Sequence, residues 1–129
     1  MSDISPWMFE SRRVDKPWGY ELIWALNESY CGKVLFVEAG HSLSLQYHVQ
    51  KVESWLIQSG RAKVELGATE DAALTEAILE PGNTLHFPPG TVHRVTAIED
   101  TTILEVSTPH LDDVVRIEDA YGRAGTSAA

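Results

Sequence analysis

A single cysteine, Cys31, in 129 residues excludes an internal disulfide framework and fits a reducing compartment. No motif surrounds it, so Cys31 is expected to be a small buried hydrophobe rather than a catalytic thiol. Positive charge is also scarce: 10 lysines and arginines face 19 aspartates and glutamates, a formal charge of −9. That balance argues against nucleic acid and anionic membrane as partners, because phosphate backbones demand clustered basic side chains. No apolar run approaches the roughly 20 residues that span a bilayer. The start, Met1-Ser2-Asp3-Ile4-Ser5-Pro6, lacks the basic and apolar regions of a signal peptide. The expected address is the cytoplasm.

What is present is a β pattern. Hydrophobic residues make up 43% of the chain and charged ones 22%, enough to bury one core. The expectation is a single domain over 1–129, with an arm over 1–16, a barrel over 17–110 and a tail over 111–129. Strands are read at 20–26, 33–39, 42–48, 53–57, 61–66, 74–80, 84–87, 93–98 and 102–108. About nine short strands at intervals of roughly 8 to 12 residues indicate an all-β sandwich or barrel. Two Greek keys closing on one another give a jelly roll. Trp7-Met8-Phe9 in the arm reads as an anchor packed across the domain or onto a partner subunit. In the tail, Asp112-Asp113 is expected to cap a short helical turn stopped by Gly122, with 124–129 frayed.

Chemistry concentrates in Gly40 to Gly60, GHSLSLQYHVQKVESWLIQSG. Alternation sends Ser44, Gln46 and His48 to one face, opposite Leu43 and Leu45, and puts Glu53, Trp55 and Ile57 together on the next strand. An amide oxygen, an imidazole and a carboxylate can thus converge. A second stretch, Gly82-Asn83-Thr84-Leu85-His86-Phe87-Pro88-Pro89-Gly90-Thr91-Val92-His93, ends a strand at a Pro-Pro-Gly turn and starts the next with His93, on the side of Val95 and Ala97. Gln46, His48, Glu53 and His93 offer two nitrogens and two oxygens, a set for a divalent cation such as Zn, Mn, Fe, Ni or Co, with Zn the first choice. His86 lies opposite Leu85 and Phe87 and is read as a non-ligand.

These two stretches resemble the signature motifs of the cupin superfamily, with Gly40, His48, Glu53 and Gly60 in the first and Gly82, Pro88, Gly90 and His93 in the second. Gln46 stands where the first motif usually has a histidine, and the resulting Gln-His-Glu-His set is similar to that of mannose-6-phosphate isomerases. Lys16-Pro17-Trp18-Gly19, Leu43-Ser44-Leu45-Gln46, His93-Arg94 and Asp112 through Arg123 follow the order of the cupin domain of type II enzymes, over residues 14 to 123. Val49, Gln50 and Ser54 stand where that family commonly has histidine, Lys51 where it has arginine and Ala97 where it has asparagine.

The resemblance implies a cupin jelly-roll barrel and a metal-dependent sugar-phosphate isomerase that interconverts aldose and ketose through an enediolate. The alternatives are a cupin that binds a sugar or metabolite without turnover and an iron-dependent cupin oxygenase. Glu53 and Lys51 are the candidate proton-transfer groups, although Lys51 reads first as a solvated loop residue. Ser44 reads either as a contact to a sugar hydroxyl or as a satisfied interior hydroxyl, and Trp55 as core filling or a wall against a sugar ring. A phosphate needs cations, for which Arg94, Arg116, Arg123 and Lys16 are candidates; the family-like tail favours Arg116 and Arg123. Apolar residues on both faces of some strands call for cover, so a homodimer is expected.

Overall fold

Alternating side chains dictate the layers. The computed structural model describes residues 3–125, in which Glu53, Trp55 and Ile57 are at most 2% exposed while Leu56 and Gln58 between and beyond them face out. Eleven strands are formed among the described residues: β1 (Arg12–Lys16), β2 (Gly19–Leu26), β3 (Cys31–Val37), β4 (Leu45–Tyr47), β5 (Glu53–Ser59), β6 (Ala62–Gly67), β7 (Thr75–Leu79), β8 (Thr84–Phe87), β9 (Val92–Ala97), β10 (Thr101–Ser107) and β11 (Val115–Glu118). They build a six-stranded sheet, β1-β2-β3-β10-β5-β8, facing a five-stranded sheet, β11-β4-β9-β6-β7. Neighbouring strands run antiparallel throughout. This is the all-β jelly roll read from the strand spacing.

The core lies between the sheets and includes Leu35, Val37, Trp55, Ile57, Val64 and Ile103. Tight turns close its strands. Gly60 adopts φ 92°, and a Cβ there would sit 2.2 Å from the Asp100 carbonyl oxygen, so only glycine lets β5 turn into β6 at this point.

Four expectations change. The arm over 1–16 carries a strand not read from the sequence: Arg12–Lys16 pairs with β2 as an edge strand, with Val14 at its centre half-buried. Trp7, Met8 and Phe9 do not pack across the domain, being 81%, 68% and 47% exposed. Leu43 is not opposite Gln46 and His48: the alternation breaks over residues 43–44, which lie outside β4, and Leu43 joins the core. The tail forms β11 against β4 instead of a helical turn, since Asp113 spends its carboxylate on another loop. Of the segment expected to fray, 126–129 lie outside the described residues, and the Gly125 N–H donates to the Arg116 carbonyl at 3.0 Å.

Candidate metal centre

Neighbouring strands deliver the predicted ligands to one spot. Pairing of β4 with β9 sets Gln46 directly opposite His93, and β5 brings Glu53 between the imidazoles. His48 Nε2 lies 3.4 Å from Glu53 Oε2, and His93 Nε2 lies 3.2 Å from Glu53 Oε1. Ligand atoms of the three residues all fall within 4.8 Å of one another. All three are buried, His93 at 1% exposure.

The other ring nitrogens fix the tautomers. His48 Nδ1 is 2.5 Å from the Asp113 carbonyl oxygen and His93 Nδ1 is 2.9 Å from that of Thr91. A carbonyl only accepts, so each Nδ1 carries the hydrogen, and a neutral ring points its Nε2 lone pair at the carboxylate. Both Nε2 atoms and Glu53 Oε1 are buried without a well-aligned hydrogen-bond partner among the described residues, and Glu53 Oε2 faces His48 Nε2 with the Lys51 ammonium on its other side. Acceptors facing acceptors in a buried site require either two extra protons or a cation. Imidazole nitrogens oriented by carbonyls and a central carboxylate suit a divalent metal. Gln46 lines the same cavity, its Oε1 accepting from Ser44 Oγ at 2.8 Å. Ser44, 1% exposed, is therefore a satisfied hydroxyl that holds the amide.

Lys51 departs from its expectation. Rather than a solvated loop residue it is 6% exposed, with Nζ 2.8 Å from Glu53 Oε2 and 3.1 Å from Glu105 Oε2. Burial alone works against its charge, but the carboxylates of Glu105 and Glu53 prevail and raise its pKa above the ordinary lysine value. Burial pushes the Glu53 carboxyl up, but the adjoining His48 and His93 imidazoles and the Lys51 ammonium hold it well below the usual range. Trp55 donates from Nε1 to Glu105 Oε1 at 3.2 Å and stands edge-on to His93 with ring centroids 5.6 Å apart. It is core and cavity wall at once.

Charge is concentrated around this cavity. Lys16, Lys33, Lys51, Arg116 and Arg123 line it, five of the chain's 10 lysines and arginines, whereas only Glu21, Glu53 and Glu105 of the 19 acids do. Arg94 does not join them. It sits on the outer surface of β9, donating to Glu65 at 2.9 and 3.0 Å and to Glu118 at 3.2 Å, because the residue after an inward His93 must point outward. His86 is exposed and pairs with Ser54 at 2.8 Å, as a non-ligand should. Sequence reading missed Lys33, Glu21 and Glu105. The available signal was phase: Lys33 precedes inward Leu35 and Val37 by even steps, and Glu105 follows Ile103 by two.

The tail completes the site. Asp113 accepts from the N–H groups of Val49, Gln50 and Lys51 at 3.0, 2.6 and 2.8 Å, while its carbonyl orients His48. Asp119 holds Arg123 through Nε at 3.0 Å and a second guanidinium nitrogen at 3.1 Å, and Tyr121 OH meets His41 Nδ1 at 2.7 Å.

The family model described as Mannose-6-phosphate isomerase C-terminal matches residues 8–119. The chain belongs to the mannose-6-phosphate isomerase C-terminal family. Relatives include Xanthan biosynthesis protein XanB of Xanthomonas campestris pv. campestris, 35% identical over 118 residues that cover 87% of this chain and 24% of that protein. Mannose-1-phosphate guanylyltransferase ManC of Salmonella typhimurium is 31% identical, with 87% and 23% covered. The chain thus spans about a quarter of the length of the curated relatives it matches. Among solved structures, the capsular polysaccharide assembling protein CapF from Staphylococcus aureus superposes with a TM-score of 0.75 at 15% identity, covering 88% of this chain and 33% of that one. Oxalate decarboxylase from Bacillus subtilis gives 0.72 at 17% identity, covering 84% and 30%, and Mn(II) centres are named for that enzyme. These neighbours show the cupin fold. Within the mannose-6-phosphate isomerase C-terminal family, the departures at 49, 50 and 54 fall off the triad: Val49 and Gln50 are exposed, and Ser54 faces out toward His86.

Proposed function

We propose that this chain is a metal-dependent sugar-phosphate isomerase domain that interconverts an aldose and a ketose through an enediolate, as between mannose 6-phosphate and fructose 6-phosphate. The observation that carries the reading is one cavity lined by His48 and Glu53 of the buried His48-Glu53-His93 triad, by Gln46 and by half of the chain's scarce cations. Gln46, His48, Glu53 and His93 would hold a divalent ion, with Zn first and Mn, Fe, Ni or Co open. Such an ion supplies Lewis acidity toward a carbonyl and its neighbouring hydroxyl.

The chain's own groups divide the remaining work. Lys51, kept cationic between two carboxylates, offers a proton and does not take one, so it is not the base. Glu53 is committed to the triad. Glu105, buried in the cavity wall with Oε2 3.1 Å from the Lys51 ammonium, is the carboxylate we assign to proton abstraction. Trp55 walls the sugar ring, and Arg116 and Arg123 meet the phosphate.

The test is to load purified protein with each divalent ion and follow fructose 6-phosphate formation from mannose 6-phosphate. Turnover that Glu105→Gln lowers by about 10²–10⁴-fold supports the reading, and no turnover with any ion overturns it. Saturable binding without product leaves the second reading, a sugar-phosphate-binding cupin, which the commitment of both nominated bases to ion pairs favours. Oxygen uptake by the iron-loaded protein would instead mark an oxygenase.

We also infer a homodimer in the cytoplasm. Trp24, Val106 and the Trp7-Met8-Phe9 segment leave large apolar side chains about half exposed or more, a surface that a second copy covers. A monomeric sedimentation coefficient at micromolar concentration would remove this. Among the described residues no helix is long and apolar enough to cross a membrane.

A further inference from the structure

The geometry points to Lys51 as a positioning and charge-setting residue of the metal centre: its ammonium shares the Glu53 carboxylate with the bound ion, so that the centre holds a divalent cation loosely and leaves it electrophilic. This inference rests on the divalent-ion reading of the triad and not on the sugar. Lys51 Nζ lies 2.8 Å from Glu53 Oε2, the same oxygen that stands 3.4 Å from His48 Nε2. Nζ also lies 3.1 Å from Glu105 Oε2. Lys51, Glu53 and Glu105 are 6%, 2% and 4% exposed, so water and salt screen little of what passes between them.

The lysine is held at both ends. Its main-chain N–H donates to Asp113 Oδ2 at 2.8 Å, and the carbonyl of that same Asp113 orients His48. Its head is fixed by the charges around it. Strands β5 and β10 pair with Glu53 opposite Ser107 and Trp55 opposite Glu105, which brings two inward carboxylates to neighbouring strands. Two buried carboxylates side by side cannot both stay ionised without a counter-charge, and an ammonium between them supplies it.

Lys51 therefore acts in two opposing ways on an ion held by the triad. As a donor that fixes the Glu53 carboxylate it supports binding, and removing such a partner weakens metal affinity by about 10- to 100-fold. As a buried cation beside the same carboxylate it repels a dication, and Coulomb's law in a poorly screened interior makes this the larger effect. One ammonium against two carboxylates leaves the trio at −1, and loss of the ammonium takes it to −2. The Lys33–Glu21 pair further along the wall is the same in every variant below and cancels from the comparison. The affinity forgone is retained as Lewis acidity, because an ion whose surroundings neutralise less of its charge polarises a carbonyl more strongly.

Zinc affinity, measured without sugar by competition with a chromophoric chelator at neutral pH, tests this on variants whose folding is checked by circular dichroism. Lys51→Met should bind zinc about tenfold more tightly than wild type, and Glu105→Gln about tenfold more weakly. Lys51→Arg keeps the charge and should stay within about threefold of wild type. The double variant Lys51→Met with Glu105→Gln restores the net charge and should bind about tenfold more tightly than Glu105→Gln alone; it keeps the comparison decisive if Lys51→Met does not fold by itself. A lysine that only positions Glu53 gives the reverse order, with each loss of Lys51 weakening zinc about 10- to 100-fold. Zinc affinity in Lys51→Met at or below that of wild type, or in the double variant at or below that of Glu105→Gln, overturns the proposal. Absence of zinc binding in the wild type overturns it together with the divalent-ion reading, whereas the expected order without sugar turnover removes the isomerase alone and leaves the role of Lys51 standing.

Discussion

The interior of the barrel has two halves of opposite character, and the same strands build both. Along β3 the inward residues run Lys33, Leu35, Val37; along β10 they run Glu105, Ile103, Thr101; along β5, Glu53, Trp55, Ile57; along β9, His93, Val95, Ala97. Registers align the apolar ends, with Ile103 opposite both Leu35 and Ile57, and align the charged ends, with Glu105 opposite Lys33 and Ser107 opposite Glu53. One half holds the sheets together and the other is left polar. The difference teaches that this fold separates stability from chemistry by distance along a strand rather than by domain, so a two-residue step moves a side chain from one role to the other.

Substitutions in the two halves should therefore fail in different ways. The largest effect is expected for Ile103→Ala, at 0% exposure in the apolar half, with a loss of about 2–5 kcal/mol in chemical denaturation but full metal occupancy in the protein that remains folded. Glu53→Gln removes the central negative charge and one of its two acceptor oxygens and should weaken metal binding by more than about a hundredfold, read by elemental analysis after dialysis. Asp113→Ala frees the 49–51 loop behind His48 and should weaken metal binding by about 10- to 100-fold.

Acid addresses the same anchor. Although burial pushes the Asp113 carboxyl up, the N–H groups of Val49, Gln50 and Lys51 pull it below the usual carboxylate value of 3.8. A depressed folded pKa contributes stability that is complete above the unfolded value and is lost as pH falls through the folded one. Hydrogen exchange of those three amides should thus accelerate below about pH 4 in the wild type, and that acid step should be missing from Asp113→Ala. The smallest effect belongs to Arg94→Gln on the outer face, with about 1 kcal/mol or less of stability lost and no change in metal or sugar affinity. A large loss of affinity there would mean that inside and outside are not independent.

Much of the charged half was legible because alternation and motif spacing agree. Glu53, Trp55 and Ile57 share a face as read, His48 and His93 lie beside Glu53, and Gln46 lines the same cavity. Arg94 was misplaced because the likeness of His93-Arg94 to a family pattern outweighed the rule that consecutive strand residues face opposite ways. Lys51 looked like a loop cation since its partner Glu105 lies 54 positions later, beyond any local pattern. Lys33 and Glu21 were hidden for the same reason: a buried lysine is recognisable only when the carboxylate across the register is known. The tail misled through its acidic pair, whose carboxylate caps a distant loop rather than its own chain.

The tail's contribution has a consequence for biogenesis. Carbonyl support for His48, the clamp on the 49–51 loop and two of the cavity's cations all come from residues 113–123. A ribosome-bound chain that has released strands β1 to β10 can close most of its sheets, yet its pocket has no back wall until residues 113–123 emerge. Closure of the pocket must then await residues 113–123, so the order in which β1 to β10 are made does not by itself complete the candidate site.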